Sequence, residues 1–499
     1  MADILILTLT LTLTLLSLCL LLLFLSNSHK TKLPPGPKPW PILGNLPDLL
    51  PHRRRLHRFL SDLSRLHGPL LTLHRGSSPI FVASTPASAS AVLRTHDRSL
   101  CGRHVPAAFR FPAYTPSTFI WSTTLDERWK SVRSLCKSEL FSSKALDAGS
   151  AERERLAARM VEGVRGRAGA RVDVRESVVK VVYRMVGEMV LSADVLERAP
   201  FLREQVARAM ELAVAPNLED LWPRVFGGLD LQGMRRETAE QLERMYRVWD
   251  VMIDERRRAV EDEATKKQDF FAAVLRSGFD DARIKALFSD LFAAGVDTTT
   301  ASIEWTLSEL VKNAFAMAQV KQELDAVVGK DNQVRESHLP ELAYLNACIK
   351  ESLRLHPPVP LLLPHQSEEE DCEVMGHVIP KGCGVMVNVW AIGRDPDAWG
   401  HSPDEFCPER FINHHDECGV DFKGSHFKFL PFGSGRRACM GMPLGHRMIQ
   451  LLVASLVHNF NWGLPDGGMA DQLDMDDWFE LTLERKRPLV LIPSEVGAC

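Results

Sequence analysis

The feature of this sequence that most limits how the chain can fold is an uncharged apolar run near its amino terminus. Residues 4–25 contain no Asp, Glu, Lys or Arg, and a helix rising about 1.5 Å per residue over this length can cross a hydrocarbon core of about 30 Å. Thr and Leu alternate over residues 8–14 as they would in a strand. An isolated strand cannot satisfy its backbone in lipid, so the run predicts a transmembrane helix.

The flanks of this run predict an uncleaved anchor rather than a signal peptide. The sequence has neither a basic segment before the run nor an Ala-x-Ala site after it. Only Asp3 precedes the run, whereas Lys30 and Lys32 follow it, so the positive-inside rule puts the rest of the chain in the cytoplasm. Residues 26–45 are basic and rich in proline, which predicts a stiff hinge, although an arbitrary linker fits the composition equally well.

Composition narrows the class of protein that follows the hinge. Hydrophobic residues make up 45% of the chain, charged residues make up 25%, and the formal net charge is −4, whereas nucleic-acid-binding proteins usually carry a basic bias. The ten cysteines form no Cys-x-x-Cys pair, which excludes the common structural-zinc and redox motifs. The chain also has no Asn-x-Ser/Thr site. We therefore expect a globular body in a reducing compartment, with no nucleic acid as partner.

Hydrophobic periodicity predicts a mainly helical body with small β-sheets. Apolar residues recur at spacings of three and four over residues 150–165, 238–264, 281–312, 314–328 and 342–355. Short β-rich runs at 70–74, 80–83 and 385–389 are bounded by Gly, Ser or Pro. Since no linker divides residues 46–499, we expect one large domain behind the hinge.

Residues 432–441 form a glycine-rich segment that contains a cysteine and is typical of a ligand site. Glycines let the backbone approach a bulky ligand, and backbone N–H groups at the start of a helix favour a cysteine thiolate. The pattern Gly433-x-Gly435-x-x-Ala438 also fits a loose dinucleotide motif, which requires an acidic residue about 20 positions farther on. The helix predicted over residues 444–460 contains no such residue, so we set aside a soluble dehydrogenase.

A second segment, residues 294–300, is poor helix sequence in the middle of a predicted helix. It reads Ala-Gly-Val-Asp-Thr-Thr-Thr, and Gly and consecutive β-branched residues lower helix propensity. Residues 301–310 nevertheless continue the helical spacing. Residues whose conformational preference opposes the element that contains them often mark a functional site.

The cysteine segment identifies a family. The pattern Phe432-x-x-Gly435-x-Arg437-x-Cys439-x-Gly441 resembles the haem-binding loop of the cytochrome P450 superfamily, with every position filled. The resemblance implies the cytochrome P450 fold and a haem b whose axial ligand is the thiolate of Cys439. Such a thiolate pushes electron density to the iron and favours O–O cleavage.

Residues 294–300 resemble the oxygen-binding helix of the same family. By that resemblance, Ala294 and Gly295 leave room for dioxygen beside the iron. Thr298 is expected to hydrogen-bond the dioxygen, and Asp297 is expected to feed protons inward. An intact Asp297-Thr298 pair argues against a haem-thiolate isomerase or dehydratase that consumes no oxygen.

Further family motifs imply contacts to the haem propionates and a structural triad. The implied propionate contacts are Arg103, Trp129, Arg133, His365 and Arg437. A surface or loop position without a ligand is the alternative for Arg103 and His365. Glu351-Ser-Leu-Arg354, followed by Pro408-Glu-Arg410-Phe, resembles the buried Glu-Arg-Arg triad of the family. We therefore expect Glu351, Arg354 and Arg410 to be structural rather than catalytic.

Asp290 is a candidate substrate contact because it lies two helical turns before Asp297 on the same helix face. Its carboxylate could anchor an amine substrate, or it could accept a hydrogen bond from the backbone of a neighbouring loop. By the family resemblance, the other expected substrate contacts are the 104–121 loop, the face of the helix from Asp290 to Thr298, Val359–Leu363 and the segment near Phe479–Leu481. Within them Val359, Leu363 and Phe479 are the individual candidates.

The finer resemblance is to the plant microsomal members of the family. It rests on residues 387–396 and 473–477, and the motifs around 336–338, 364–365 and 372–376 are similar to enzymes that oxidise benzylisoquinoline and related alkaloids. We expect a single-pass protein of the endoplasmic reticulum membrane that hydroxylates or oxidatively couples a small hydrophobic alkaloid. The implied partners are dioxygen, a separate NADPH-cytochrome P450 reductase, cytochrome b5 and membrane lipid. The alternatives are a terpenoid hydroxylase and a non-catalytic membrane-tethered haem-binding module.

Overall fold

The structure is a computed structural model, and it describes residues 2–25, 32–112, 114–192, 195–261, 269–368, 370–412 and 420–496. Helices account for most of the regular structure within these ranges. They are α1 Ala2–Leu25, α2 Leu46–Leu49, α3 Leu56–His67, α4 Pro86–Ser90, α5 Glu127–Glu139, α6 Ser143–Ala148, α7 Ser150–Arg165, α8 Val174–Leu191, α9 Val195–Arg198, α10 Leu202–Val214, α11 Leu218–Leu221, α12 Pro223–Phe226, α13 Met234–Glu261, α14 Phe270–Arg276, α15 Asp281–Lys312, α16 Ala314–Val327, α17 Ala343–Leu355, α18 Val389–Ile392, α19 Pro396–Trp399 and α20 Met442–Asn459.

Within the described ranges the strands are short and form four small sheets. They are β1 Leu70–Arg75, β2 Ser78–Ala83, β3 Gly102–Arg103, β4 Val172–Asp173, β5 His365–Gln366, β6 Cys372–Val374, β7 His377–Ile379, β8 Gly384–Val387, β9 Phe460–Gly463, β10 Asp477–Phe479, β11 Leu483–Arg485 and β12 Val490–Glu495. The sheets have the orders β1-β2-β8-β5-β3, β4-β12-β9, β10-β11 and β6-β7. The mainly helical fold with small sheets is therefore confirmed.

Helix α15 runs through the main hydrophobic core. Its amino terminus is capped by Asp280, whose side chain accepts a hydrogen bond from the backbone N–H of Arg283. Side chains are buried along most of its 32 residues, and it packs against α8, α17 and α20. The indole N–H of Trp305 donates to the carbonyl of Leu483 at 3.0 Å, which ties the helix to β11.

The threonines do not interrupt α15. The hydroxyl of Thr298 donates to the carbonyl of Ala294 at 2.7 Å, and the hydroxyl of Ser302 donates to the carbonyl of Thr298 at 2.8 Å. Such bonds to the residue four positions earlier satisfy small polar side chains within a helix. The helix continues through residues 294–300 as the spacing of residues 301–310 predicts.

The five-stranded sheet brings together two residues that are far apart in the sequence. Strand β3 pairs antiparallel with β5, and the register places Arg103 opposite His365. Strand β5 in turn pairs with β8, where His365 lies opposite Val385. This sheet has its own buried cluster, which includes Phe81, Val385 and Val387.

Two of the predicted helices have the bounds that the structure shows. The helices predicted at 150–165 and 281–312 coincide with α7 and α15, and the helix predicted at 238–264 corresponds to α13 Met234–Glu261, with residues 262–264 outside the described ranges. The strand predicted at 385–389 ends earlier, because Asn388 caps α18 by accepting from the N–H of Ala391.

The amino-terminal run is helical, as predicted from the cost of an isolated strand in lipid. In α1 the hydroxyls of Thr10, Thr12 and Thr14 donate to the carbonyls four residues earlier. The side chains of residues 4, 5 and 18–25 lie outside those that the structure describes. Among the described residues, no helix combines the length and the apolar character needed to cross a membrane.

Candidate active site

Cys439 lies between a single 3₁₀ turn, Gly435–Arg437, and the start of α20. Its backbone N–H donates to the carbonyl of Phe432 at 2.9 Å, which closes the loop. Gly435 has a φ of 72°, and a Cβ there would lie 2.4 Å from the carbonyl oxygen of Leu93. Only glycine fits such a position, so the glycine in the motif allows the loop to pack tightly against the neighbouring backbone.

The sulfur of Cys439 is accessible because it faces an internal cavity, not because it lies at the outer surface. Burial raises the pKa of its thiol, whereas N–H groups of Gly441 and Met442 and the charge of Arg133 lower it. The expected preference for a thiolate at the helix start is thus present but is smaller than the effect of burial. Coordination to a metal ion deprotonates such a thiol outright.

The cavity joins the two motifs that the sequence singled out. The 431–441 loop and the first turns of α20 line one side, and Ala294, Gly295 and Thr298 of α15 line another. The cavity has a volume of about 310 Å³. A Cβ on Gly295 would lie 3.4 Å from a methyl group of Val186, so a larger side chain could extend only toward the cavity or displace that neighbour.

A cluster of cations lines another part of the cavity. Its members are Arg103, Arg133 and Arg437, with the ring of Trp129 among them. His365 lines the same part of the cavity, but burial and the neighbouring arginines hold its pKa well below its usual value, so its ring is neutral near pH 7. The guanidinium groups of Arg133 and Arg437 lie 5.3 and 5.0 Å from the centre of that ring. Burial and like charge lower the pKa of Arg103 to about 9 and, with neighbouring acids partly compensating, the pKa of Arg437 to about 10. Guanidinium groups crowded together in this way favour an anionic ligand.

Most of these cations are held in place by backbone carbonyls. Arg437 donates to the carbonyls of Cys101 and Ser122 at 2.8 and 2.5 Å, and Arg133 donates to the carbonyl of Ala438 at 3.0 Å. One ring nitrogen of His365 bonds the carbonyl of Leu100 at 2.9 Å. Neutral acceptors position the side chains without cancelling their charge.

Two buried donors of this cluster have no partner among the described residues. They are the indole N–H of Trp129 and the Nε–H of Arg103. Buried donors are nearly always satisfied in native proteins, so an acceptor from a ligand fits here. Together with the accessible sulfur, they match a haem whose propionates would meet the cations while its iron would meet Cys439.

Trp129 offers a test of this arrangement. Its backbone N–H is bonded by Asp126, which caps α5, and its ring stacks on Phe119 at 5.0 Å. We expect Trp129→Phe to keep the ring packing but to lose one charge-assisted hydrogen bond, about 1.5–3 kcal/mol of haem-binding free energy. Transfer of haem to apomyoglobin should then be at least tenfold faster. Trp462→Phe, whose indole bonds the carbonyl of Leu456, is the control, and equal transfer rates for both variants would contradict the assignment.

Thr298 lines the cavity, but its neighbour Asp297 is absent from the described lining. The carboxyl of Asp297 lies on the side of α15 that faces Arg175, Arg203 and Glu484. Burial raises its pKa, and the two arginines partly oppose that change. The predicted pair is therefore split: the hydroxyl faces the cavity and the carboxyl faces a charged cluster behind the helix.

Asp290 lines the cavity and makes the contacts that the second of its two interpretations requires. Its side chain accepts from the hydroxyls of Tyr114 and Thr118 and from the backbone N–H groups of Phe119 and Ile120. The carboxylate thus holds the 114–120 loop, and Phe119, Ile120 and Trp121 of this region line the cavity.

The remaining predicted substrate contacts divide. Val359 and Leu363 line the cavity, as expected. Of the predicted segment near Phe479–Leu481, Leu481 lines the cavity, together with Thr482 in the same turn, whereas Phe479 is absent from the described lining. The ring of Phe479 lies 5.7 Å from that of His57 and packs with a separate cluster, since it stands in strand β10 opposite Leu483.

The expected triad forms one buried network. The carboxylate of Glu351 accepts two hydrogen bonds from Arg354, both at 2.7 Å, and one from the backbone N–H of Cys407 at 2.9 Å. Arg410 pairs with the same carboxylate at 3.5 Å. Arg354 also donates to the carbonyls of Gly393 and Pro403. The network ties α17 to the segment that precedes the cysteine loop.

Several lining residues were not singled out from the sequence. Met189 and Val190 of α8 and Met210 of α10 line the cavity, yet their spacing is that of ordinary core residues. Trp121, within the expected 104–121 loop, also has a buried indole N–H without a partner among the described residues. No pattern in the sequence reveals which face of α8 or α10 meets the cavity, because tertiary packing determines it.

Comparison with known proteins agrees with this site. The sequence model of the cytochrome P450 family, described as "Cytochrome P450", matches residues 34–492. The chain is 42% identical to (S)-N-methylcoclaurine 3'-hydroxylase isozyme 1 of Papaver somniferum, over 92% of this chain and 95% of that protein. It is 40% identical to corytuberine synthase of Coptis japonica, over 92% and 94%. It is 38% identical to berbamunine synthase of Berberis stolonifera, again over 92% and 94%.

Proposed function

The chain belongs to the cytochrome P450 family, and from that premise we propose that it is a membrane-anchored monooxygenase that hydroxylates or oxidatively couples a benzylisoquinoline alkaloid. The monooxygenase chemistry is supported by the position of the Cys439 sulfur. This sulfur faces Ala294, Gly295 and Thr298 of α15 across one cavity. The relatives carry the substrate part, because their names specify both hydroxylation and synthesis within alkaloid chemistry.

Members of this family bind haem through a cysteine thiolate, and this group, when bound, activates dioxygen with electrons that a redox partner supplies. In this chain Cys439 would hold the iron, and Phe432 and Gly441 would shape the loop around the sulfur. The two propionate carboxylates of the haem would be bound by Arg103, Arg133, Arg437, Trp129 and His365. Ala294 and Gly295 would leave space beside the iron.

We propose that the substrate lies in the part of the cavity lined by the 119–121 segment, Val359, Leu363 and Leu481. These side chains are mostly apolar, so they exclude water and favour a hydrophobic skeleton. We propose that Thr298 passes protons into this space. Asp297, whose pKa is raised by burial, would take them up on the other side of α15, where Glu484 is partly exposed.

Thr298→Ala tests the role of the hydroxyl. We expect substrate to bind as before while more of the NADPH consumed appears as hydrogen peroxide, because proton delivery is impaired. The measurement is peroxide and product per NADPH. Thr306→Ala is the matched control, since Thr306 lies on the same helix, also donates to a carbonyl four residues earlier, and is buried outside the described lining. Unchanged coupling in Thr298→Ala would refute the proposed role.

We also propose that residues 4–25 anchor the protein in the endoplasmic reticulum membrane, with residues 26–45 as hinge and residues 46–499 as cytosolic catalytic domain. The length and uncharged character of the run support this proposal. An NADPH-cytochrome P450 reductase would be the electron donor, with cytochrome b5 as a further partner. Membrane lipid would contact the anchor.

The substrate class can be tested in microsomes that contain the full-length protein and a plant reductase. Benzylisoquinoline alkaloids and terpenoids are incubated with and without NADPH, and products are identified by mass spectrometry. We expect hydroxylated or coupled products from the alkaloids only when NADPH is present. Products from terpenoids alone would favour the terpenoid alternative, and no NADPH-dependent oxygen consumption with any compound would favour a non-catalytic haem-binding module.

A further inference from the structure

Asp290 carries the only carboxylate among the described residues that line the cavity. It is buried, with 4% of the residue exposed. An alkaloid amine that entered the cavity as a cation would therefore depend on this group for a counter-charge. If the carboxylate of Asp290 can pair with the amine, the substrate can bind as a cation. If the carboxylate is already engaged by the chain, the uncharged amine is favoured.

The hydrogen-bonding capacity of Asp290 is already used by the chain itself. One carboxylate oxygen accepts from the hydroxyl of Tyr114 at 2.8 Å. The other accepts from the hydroxyl of Thr118 at 2.9 Å and from the N–H groups of Phe119 and Ile120 at 2.6 and 3.2 Å. A carboxylate has about four lone-pair sites; three donors converge on one oxygen, and the hydroxyl of Thr118 also lies 3.2 Å from the oxygen that Tyr114 bonds. An ammonium group would therefore have to compete with the donors of the 114–120 loop for this carboxylate.

The charge of Asp290 is met by these donors and not by a cation. The titratable groups that face it are Tyr114 of the same loop, Tyr246 of α13 and Cys136 of α5. Burial raises the pKa of all three, so they are neutral near pH 7. Burial also raises the pKa of Asp290, to about 6, although its hydrogen bonds lower it. The carboxylate form of Asp290 is consequently stabilised by neutral donors and not by a neighbouring cation.

The rest of the lining offers no alternative anion among the described residues. Around α15 the side chains are apolar or carry hydroxyls, as in Ile120, Val359, Leu481, Thr299 and Thr482. The charged groups elsewhere in the cavity are cations, the guanidinium groups of Arg103, Arg133 and Arg437. In the holoprotein these guanidinium groups would be paired with the haem carboxylates and the sulfur of Cys439 with the iron, so a substrate cation would lose its water without gaining a free partner of opposite charge.

The uncharged amine is favoured over the cation under these conditions. Full burial lowers the pKa of an amine by up to about 3–5 units. If only the free base binds, the amine must first lose its proton in water. This requirement lowers the apparent affinity by about tenfold for each unit by which the pKa of the amine exceeds the pH. An amine whose pKa lies one or two units above the ambient pH therefore binds more readily after losing its proton.

We propose that the site takes its amine substrate as the uncharged free base, while Asp290 acts as a positioning residue that holds the 114–120 loop over the cavity. The inference rests on the alkaloid substrate class of the proposed function and deepens it. Binding then releases the proton that the amine carries in solution to the buffer. The cavity recognises the apolar skeleton, and Asp290 contributes by fixing the lining residues Phe119 and Ile120.

Proton release can be counted by calorimetry on the full-length holoprotein in nanodiscs. The probe is a benzylisoquinoline tertiary amine, titrated one pH unit below its pKa in two buffers with different enthalpies of ionisation. We expect release of about 0.9 proton per amine bound, the fraction protonated in solution at that pH. Amine binding without proton release would overturn the proposal.

Two analogues sharpen the test. The N-formyl amide of the same skeleton carries no charge, and it should bind without releasing a proton. The N,N-dimethyl quaternary salt keeps its charge at every pH, and it should bind at least tenfold more weakly than the tertiary amine. A quaternary salt that binds as tightly as the tertiary amine would overturn the proposal. If neither the amine nor the amide binds, the alkaloid substrate class is wrong and this inference fails with it; if both bind and no proton is released, the inference alone fails.

The variant Asp290→Asn separates positioning from charge pairing. If Asp290 positions the loop, the substitution should weaken binding of the tertiary amine and of the amide by the same factor and leave proton release unchanged. A loss that is tenfold or more larger for the amine would show that Asp290 pairs with the amine nitrogen, against the proposal. Should this variant fail to fold, the measurements on the unmodified protein decide the question by themselves.

Discussion

Cys439→Ala is expected to abolish NADPH-dependent oxidation and to leave a protein that loses its haem during purification. The sulfur is the group of the cysteine loop that faces the cavity opposite Thr298, and alanine offers no ligand for iron. The cation cluster would still attract the propionates, so some haem should bind but exchange rapidly. Haem content after gel filtration and product formation in microsomes are the two measurements.

The control for this variant is Cys407→Ala. Cys407 is half-buried beside Glu351, far along the chain from the cysteine loop, and it is absent from the described cavity lining. Its backbone N–H, which bonds Glu351, is kept in the alanine variant. We expect haem content and turnover to stay close to those of the unmodified protein. If Cys439→Ala retained turnover, or if Cys407→Ala lost it, the ligand assignment would be wrong.

Glu351→Ala is expected to have the largest effect on stability. Its carboxylate is fully buried and accepts two hydrogen bonds from Arg354, which is itself buried. Removal of one member of such a pair leaves an uncompensated buried charge, which costs about 3–5 kcal/mol. The change should appear as a lower apparent Tm and as a smaller fraction of soluble protein that holds haem.

Glu152→Ala is the matched control for the triad. Glu152 also accepts two hydrogen bonds from an arginine three residues later, Arg155, but the two side chains are 35% and 51% exposed, so solvent reaches this pair. Exposed pairs contribute about 0–1 kcal/mol, so this variant should unfold close to the temperature of the unmodified protein. Equal destabilisation by both substitutions would contradict the structural role of the triad.

Sequence patterns predicted the structure correctly where interactions between residues close in the chain determine it. Helix α15 has the bounds that its apolar spacing predicted, with Asp280 as cap. The spacing of the cysteine motif was informative because the glycine at 435 is required by a positive φ and a close backbone approach. Glu351 and Arg354 are neighbours on one helical face, so their contact also follows from their spacing.

Long-range packing determined what the sequence could not predict. The segment near Phe479–Leu481 was expected at the cavity, and strand pairing in the β10-β11 hairpin determines that Leu481 lines it while Phe479 packs with another cluster. Asp297 and Thr298 are adjacent, yet successive residues of a helix lie about 100° apart, so only one of them faces the cavity. For Asp290 both interpretations were chemically sound, and only the position of the 114–120 loop distinguished them.

The most direct test of Cys439 as the haem ligand is the spectrum of the reduced, carbon-monoxide-bound protein. A haem held by the sulfur of Cys439, at the cavity where the cation cluster and the α15 motif meet, predicts the thiolate-type shift of the Soret band in the unmodified protein and its loss in Cys439→Ala. A haem-loaded protein whose Soret band lacks that shift, or keeps it in Cys439→Ala, would contradict the assignment of Cys439 as the ligand.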